Sequence, residues 1–301
     1  MSESNKRNFI VHGSILAIAG ILVRIIGMLY RIPVVNIIGS EGNGIYGAAF
    51  NIYNIMLVLS SYGLPMAVSK LVSARFTKKR YKSAAKVLRC SLMVAVCTGG
   101  IAALLVFFGA SFIENVIYGG GLPGLAIPLR ILAPTIFLVA ILGVIRGFFQ
   151  GQSTMIPTAV SQILEQIVNA IVSIAAGYGM MKAFASSPDV AAYGAAGSTL
   201  GTAMGALTAV LFMGFLYAVY TPTFNRLKRK DRHTENQSTG QICKIIIYTM
   251  IPIILGQTFY QISALIDDVM FSNIMVGRDI TKSISMDLGN FSSSYSLLIG
   301  I

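Results

Sequence analysis

The sequence predicts an all-α protein that crosses a membrane several times. Of its 301 residues, 55% are hydrophobic and only 11% are charged, and the mean hydropathy is +0.73. Soluble domains carry about 25% charged residues, so this composition is typical of a polytopic membrane protein. The apolar segments run for about 20 residues, the length a helix needs to cross the hydrocarbon core. Continuous runs of that kind disfavour a β-barrel, in which apolar and polar residues alternate.

Seven spans and the beginning of an eighth can be placed on the sequence. Their approximate bounds are 9–31, 44–69, 88–109, 126–146, 156–178, 193–217, 245–266 and from 288 onward. We expect the spans to form three units along the chain. These units are an N-terminal six-helix bundle over 1–220, a basic cytoplasmic linker over 221–244, and the start of a second bundle over 245–301 that the chain end truncates.

The lysines and arginines predict the orientation of the chain. Most of the 23 basic residues fall on one side of the membrane, above all in the segments 70–89 and 226–244. Because basic loops stay in the cytoplasm, we expect a cytoplasmic N-terminus in the cell membrane. The net charge of +12 then reflects orientation and attraction to anionic phospholipid. No nucleic-acid partner is expected, since no basic motif is interleaved with aromatic residues.

The first span carries two arginines, Arg24 within its apolar stretch and Arg31 at its end. Seven residues separate them, about two helical turns, so both lie on one face. A cation in the hydrocarbon costs about 3 kcal/mol or more, and so it should face a hydrated cavity or an anionic partner. Because guanidinium groups bind phosphate oxygens in pairs, we predict a clamp for a diphosphate or a carboxylate. The alternative is that Arg31 reaches the outer headgroups and Arg24 pairs with an acid.

The second and fourth spans each contribute one polar residue of interest. Asn51 on the second span is a candidate for lining a cavity. Arg146 ends the fourth span and is interpreted as an interfacial anchor that could also meet a lipid phosphate.

The fifth span is polar on one side over an arc of about 140°. The polar residues of this arc are Ser161, Gln162, Glu165, Gln166, Asn169 and Ser173. Such a face must line a wet cavity or a polar helix contact, and we predict that Gln162, Glu165 and Asn169 belong to the binding site. Glu165 is the natural partner of Arg24, a proton or cation site of a coupled carrier, or half of a structural ion pair.

The sixth and seventh spans indicate packing and interfacial positions. Gly197, Gly201 and Gly205 repeat every four residues, the pattern of a close-packing ridge in membranes. Asp267 and Asp268 end the predicted seventh span, where interfacial capping is favoured over ion binding.

The sequence lacks the usual signatures of catalysis. It contains no nucleophile–base pair, no spacing of metal ligands and no nucleotide-binding GxxxxGK[ST] motif. We therefore expect a transporter and not an enzyme, without a cofactor or a structural metal.

Two stretches near the N-terminus resemble a known family. They are Val23–Pro33, VRIIGMLYRIP, and Ile38–Gly47, IGSEGNGIYG. Both resemble the opening of the polysaccharide-biosynthesis branch of the multidrug/oligosaccharidyl-lipid/polysaccharide exporter superfamily, above all its stage V sporulation protein B type and the related lipid II flippases. Pro252–Gln257, followed by Asp267, is similar to the start of a second bundle in that superfamily.

The resemblance implies two six-helix bundles around a central cavity that opens alternately to either side. In the lipid II flippases, first-helix arginines are thought to meet the diphosphate of the substrate, and Arg24 falls on one of them. The next arginine there is one residue out of register with Arg31. In those flippases an acidic residue follows the second arginine, and Ile32 stands in its place here. An acidic residue of their second helix corresponds to a position near Gly44 of this chain. Members are about twice this long, so the chain is expected to be a fragment.

The expected function is therefore a flippase for a lipid-linked saccharide diphosphate, such as a peptidoglycan precursor. The diphosphate would bind Arg24 with help from Arg31, and the face around Glu165 would solvate the sugar while the lipid tail stays in the bilayer. One alternative is a multidrug exporter of the same superfamily, coupled to a cation at Glu165. Another is a non-transporting scaffold in sporulation or cell-wall assembly. A basic cavity favours the flippase, and an acidic cavity favours the exporter.

Overall fold

The computed structural model describes residues 3–232, 237–276 and 284–291, with nearly all side chains from Ser14 onward. Over these residues the chain forms α-helices and one π-helical turn, and it contains no strand. The elements are α1 Glu3–Ser60, α2 Leu64–Thr77, α3 Tyr81–Phe112, the π-turn Ile113–Ile117, α4 Ala126–Gln150, α5 Ile156–Ala183, α6 Val190–Lys230, α7 Thr239–Val276 and α8 Ile284–Phe291. The predicted all-α class is confirmed.

Six helical stretches are long and apolar enough to cross a membrane. The first stretch, Ser14–Thr77, includes the first predicted span from Ser14 onward and the whole of the second. The third to seventh predicted spans each coincide with a helix, and these helices extend beyond the predicted bounds. α6, for example, continues to Lys230 and α7 begins at Thr239, because a helix need not end where its apolar part ends. The multi-pass membrane protein predicted from composition is confirmed.

The predicted loop between the first two spans is wrong. α1 remains helical across residues 32–43 except at Gly39, whose φ of 69° and ψ of 179° interrupt it. Glycine adopts a positive φ without steric cost, so one residue redirects the chain where a loop of twelve was expected. Val34 and Ile38 are buried, which continues the packed face of the helix past Pro33.

The buried side chains form two clusters at opposite ends of the bundle. In the predicted orientation the outer cluster joins the second part of α1 to the starts of α4 and α6; its largest members include Ile45, Tyr118, Leu122, Leu129 and Ile136. The inner cluster joins α2 and α3 to the ends of α4 and α6 and the start of α7; it includes Leu64, Val87, Phe148, Phe224 and Ile246. Because lipid is as apolar as these helices, close packing holds them together.

The small-residue ridge predicted on α6 is confirmed. A Cβ atom at Gly201 would lie 2.6 Å from the Asn169 carbonyl oxygen, and one at Gly205 would lie 2.6 Å from that of Glu165. α6 therefore lies directly on the backbone of α5, as a GxxxG ridge allows. This contact fixes the polar arc of α5 against its neighbours.

The last described helices pack on the first part of the chain. A Cβ atom at Gly289 of α8 would lie 2.5 Å from the carbonyl carbon of Ser40, and Asn43 donates a 2.9 Å hydrogen bond to the Gly289 carbonyl. The eighth predicted span beyond residue 291 lies outside the described residues, as do residues 233–236 of the predicted linker. The division into two bundles and a linker stays a prediction.

Asp267 and Asp268 do not end the seventh helix. α7 continues to Val276, and Asn51 donates a hydrogen bond to the Asp268 carboxylate. The expected capping role is therefore wrong for Asp268, whose side chain joins α7 to α1.

Candidate functional site

The helices α1 and α5 run parallel with a constant register. Three contacts share one offset of 139 residues: Gly27 with Gln166, Tyr30 with Asn169, and Ile38 with Gly177. A constant offset means that the two helices run in the same direction side by side. Each residue of α1 therefore lies at the same height as the residue of α5 that follows it by 139 positions. Arg24 is then level with Ile163, and Arg31 is level with Ala170.

Arg24 is exposed, and the described residues offer it neither a hydrogen bond nor an ion pair. Its level lies between Gln162 and Gln166, the two half-buried glutamines of α5. Around α1, Arg24 lies about 60° from the direction in which Gly27 contacts α5. The remaining perimeter is apolar and exposed, and it includes Ile21, Leu22, Ile25, Met28 and Leu29. Arg24 therefore lies at the boundary between a packed polar side and an open apolar side.

Arg31 lies two turns closer to Gly39 on the same flank, about 10 Å along the helix. It is partly exposed and interacts electrostatically with Tyr46, which is buried and hydrogen-bonded to Tyr30. Both arginines thus occupy one edge of α1, as their spacing predicted.

Glu165 is paired with Arg146 of α4. The guanidinium Nη2 donates to the Glu165 carboxylate at 2.7 Å, and Nε donates to the Ser161 hydroxyl at 2.9 Å. The expected pairing of Glu165 with Arg24 is not found, and the interpretation of Arg146 as an interfacial anchor is wrong. α4 and α5 form an antiparallel hairpin through residues 151–155, which brings Arg146 opposite Ser161 and within one turn of Glu165.

Asn169 joins three helices below Arg31. It donates to the Tyr30 hydroxyl at 3.3 Å and accepts from Ser173 at 2.9 Å and from Thr202 at 3.5 Å. Its side chain is buried, so it fixes α1, α5 and α6 together and does not face open space. Gln162 remains half-buried at the level of Arg24, and its predicted contact with substrate stays a prediction.

Asn51 lies on a different side of α1 from the arginine group. Tyr46 and Tyr53 point toward Arg31 and Glu165, with which they interact electrostatically. Asn51 is about 150° around the helix from these tyrosines, and it contacts Asp268 of α7. The structure therefore separates Asn51 from the other predicted site residues.

Three relevant residues were absent from the predicted site, namely Arg146, Tyr30 and Tyr53. The two tyrosines carry no sequence signal, because aromatic residues are common throughout the spans. Arg146 could have been found by folding the fourth and fifth spans about the short turn between them, which sets it opposite the polar arc of α5.

The sequence comparison decides the family. A family model described as a polysaccharide biosynthesis protein matches residues 10–301. The chain belongs to the polysaccharide biosynthesis protein family. This membership confirms the resemblance found in the first helix.

Three proteins of Bacillus subtilis (strain 168) are similar to the chain. The lipid II flippase MurJ is 34% identical over 176 residues, which are 56% of this chain and 32% of that protein. The stage V sporulation protein B is 30% identical over 210 residues, 69% of this chain and 39% of that protein. The uncharacterized membrane protein YabM is 26% identical over 97% of this chain and 53% of its own length. The chain thus spans about a third to a half of these relatives.

Solved transporter structures share the fold. A multidrug resistance MATE family transporter of the MOP superfamily, in an inward-facing conformation, superposes with a TM-score of 0.65 at 16% identity, over 96% of this chain and 60% of that one. A MOP superfamily transporter from Pyrococcus furiosus gives a TM-score of 0.61 at 15% identity, over 93% of this chain and 62% of that one. The predicted MOP-type helical bundle is therefore confirmed for this member of the polysaccharide biosynthesis family.

Proposed function

We propose that the chain is part of a flippase that moves a lipid-linked saccharide diphosphate across the cytoplasmic membrane by alternating access. The observation that carries this proposal is the exposed guanidinium of Arg24 on α1, which is unpaired within the described residues. Arg24 lies 15 residues before Gly39, where α1 is interrupted, which is about 22 Å along the helix. This distance is shorter than the thickness of the hydrocarbon core, about 30 Å. An arginine kept there without a partner is suited to an anion that enters with its lipid.

The charge balance around Arg24 supports an anionic substrate. In the described part of the first six helices, the carboxylate at this depth is Glu165, and Arg146 neutralises it. Arg24 and Arg31 then contribute two positive charges that no described carboxylate balances by an ion pair. A diphosphate would supply the opposite charge through bidentate hydrogen bonds.

The surroundings of Arg24 match the order of groups in a lipid-linked sugar. Toward α5 lie the amides of Gln162 and Gln166, which can hydrogen-bond a saccharide. Away from α5 lie exposed apolar residues such as Ile25 and Leu29, which suit a lipid tail. A diphosphate links sugar to tail in such molecules, and Arg24 lies between the two surfaces.

The other functions weighed from sequence fit less well. A cation-coupled multidrug exporter would use the Glu165 carboxylate as its ion site, but the Arg146 guanidinium binds that carboxylate at 2.7 Å. A scaffold in sporulation or cell-wall assembly gives no reason to keep an unpaired arginine at this depth. The relatives named for lipid II flipping and for stage V sporulation agree with a peptidoglycan precursor as the substrate.

The test is complementation of a depletion strain by the full-length gene. We expect Arg24→Ala to abolish growth and to leave lipid-linked precursor in the inner leaflet, whereas Arg24→Lys retains part of the activity. Lys182→Ala is the matched control, because it removes an exposed cation at the outer end of α5. Normal complementation by Arg24→Ala at normal protein level would overturn the proposal and favour the scaffold.

A further inference from the structure

Arg24 and Glu165 lie close in depth on neighbouring helices, yet they do not pair. Arg24 is level with position 163 of α5, so Glu165 lies only about 3 Å further outward. Opposite charges at such a depth attract each other far more strongly than they would in water. The Glu165 carboxylate nevertheless pairs with a group on another helix.

That interaction comes from α4. Arg146 uses Nε for the Ser161 hydroxyl and Nη2 for the Glu165 carboxylate, at 2.9 Å and 2.7 Å. Ser161 and Glu165 form one edge of the polar arc, and Gln162 and Gln166 form the edge toward α1. Two hydrogen bonds from one rigid guanidinium thus hold the negative charge at the far edge.

We propose that Arg146 is a positioning residue that holds the Glu165 carboxylate on the α4 side and so keeps Arg24 free for an anionic phosphate. This inference rests on the proposed function of Arg24. Without Arg146, the Glu165 carboxylate would attract Arg24 and repel the phosphate. The pair therefore sets the selectivity of the site for anions, in addition to joining α4 and α5.

Glu165 has few other charged or titratable neighbours that could take over from Arg146. α1 presents Arg24 and Tyr53, and Tyr53 interacts electrostatically with Glu165. α6 approaches Glu165 with the backbone of Gly205, which carries no charge. A phenol can hydrogen-bond a carboxylate but cannot neutralise it, so Arg24 is left as the cation for an unpaired Glu165.

The test compares four variants in the full-length gene, scored by flipping of precursor at matched protein level. We expect Arg146→Ala to lower activity about tenfold or more, a typical coupling for residues in contact. Glu165→Gln should lower activity less than Arg146→Ala does, because its amide oxygen still accepts from Arg146 and it places no negative charge near Arg24. The double variant Arg146→Ala/Glu165→Gln should recover, and Arg146→Lys should retain activity. Arg130→Ala is the control. Arg130 is the exposed arginine at the other end of α4, and it donates a hydrogen bond to the Ser111 hydroxyl.

A pH profile separates positioning from a merely structural role. Protonation removes the charge of Glu165, so the Arg146→Ala protein should regain activity as the pH falls. The unmodified protein and the double variant should not show that gain. Equal losses in Arg146→Ala and Glu165→Gln, without recovery at low pH, would mean that the pair only joins two helices and would overturn the inference.

Two further outcomes are distinguishable. A double variant as inactive as Arg146→Ala would mean that Arg146 binds the phosphate itself, which also overturns the inference. Full activity of Arg24→Ala would instead overturn the proposed function, whatever the Arg146 variants do. An inactive Arg24→Ala protein together with an unrescued double variant would refute the positioning role alone.

Discussion

Replacing Gly201 by alanine should separate α5 from α6. The new Cβ atom would lie 2.6 Å from the Asn169 carbonyl oxygen, 2.6 Å from the Ser173 amide nitrogen, and against the Ser173 hydroxyl. Two of these atoms belong to backbone and cannot rotate away. Restoring ordinary contact at 3.4 Å requires the two helices to part by roughly 0.8 Å. The hydrogen bonds that cross this contact, from Ser173 to the Ser198 carbonyl and from Thr202 to Asn169, would lengthen with them.

The expected cost can be compared with a control on the same helix. Overpacking costs about 1–3 kcal/mol. Gly214 also lies in α6, but its Cβ position has nothing within 4 Å, so Gly214→Ala should gain about 0.5–1 kcal/mol from helix propensity. Because the propensity gain applies to both glycines, the two alanine variants should differ by the overpacking cost alone, about 1–3 kcal/mol in the free energy of unfolding.

The assay is unfolding of the purified full-length protein in detergent, followed by its apparent melting temperature. We expect Gly201→Ala to melt below the unmodified protein and Gly214→Ala to melt at or above it. Glu165, which pairs with Arg146 of α4, lies on α5, so flipping activity should fall with Gly201→Ala as well. Equal melting temperatures for the two variants would refute the close packing of α6 on α5.

Two other predictions concern the outer end of the bundle and the orientation of the chain. The methyl group of Gly289→Ala would meet the Ser40 carbonyl, so α8 should separate from α1 and the melting temperature should drop. Gly240→Ala is the control, because the Cβ position of Gly240 on α7 has nothing within 4 Å. An unchanged melting temperature of the Gly289→Ala protein would contradict the α1–α8 contact. The orientation can be tested with single cysteines at the exposed positions Lys79 and Asn115, in a background without the three natural cysteines. Because basic loops stay inside, the cysteine at 79 should react with an impermeant maleimide added on the cytoplasmic side. The cysteine at 115 should react with the reagent added on the outer side. The reverse labelling pattern would invert the orientation.

Much of the fold was predictable because it depends on local composition. The apolar runs predicted the spans, and the four-residue spacing of Gly197, Gly201 and Gly205 predicted a packing ridge. The loop expected over residues 32–43 was wrong because hydropathy responds to polar residues such as Glu41 and Asn43, and they need not break a helix. Asn43 is instead buried and hydrogen-bonded to Gly289, a contact between residues distant in sequence.

The candidate site was only partly predictable. The spacing of Arg24 and Arg31 placed both on one edge of α1, and the structure keeps them there. The partner of Glu165 could not be predicted, since the sequence allows either Arg24 or Arg146 to reach the Glu165 carboxylate. The α4–α5 hairpin decided in favour of Arg146, and the register of α1 on α5 left Arg24 without a carboxylate partner among the residues that the structure describes.

The sequence by itself determined that the chain is helical, membrane-spanning and equipped with an arginine inside the first span. Those properties follow from hydrophobicity and the helical period, which act over a few turns. Only the tertiary structure decided that Asn169 is buried at a junction of three helices, that Asn51 faces Asp268, and that Arg24 pairs with no carboxylate in the described part of the chain. A helical wheel gives the direction of a side chain but not what it meets, because that depends on how the helices pack against one another.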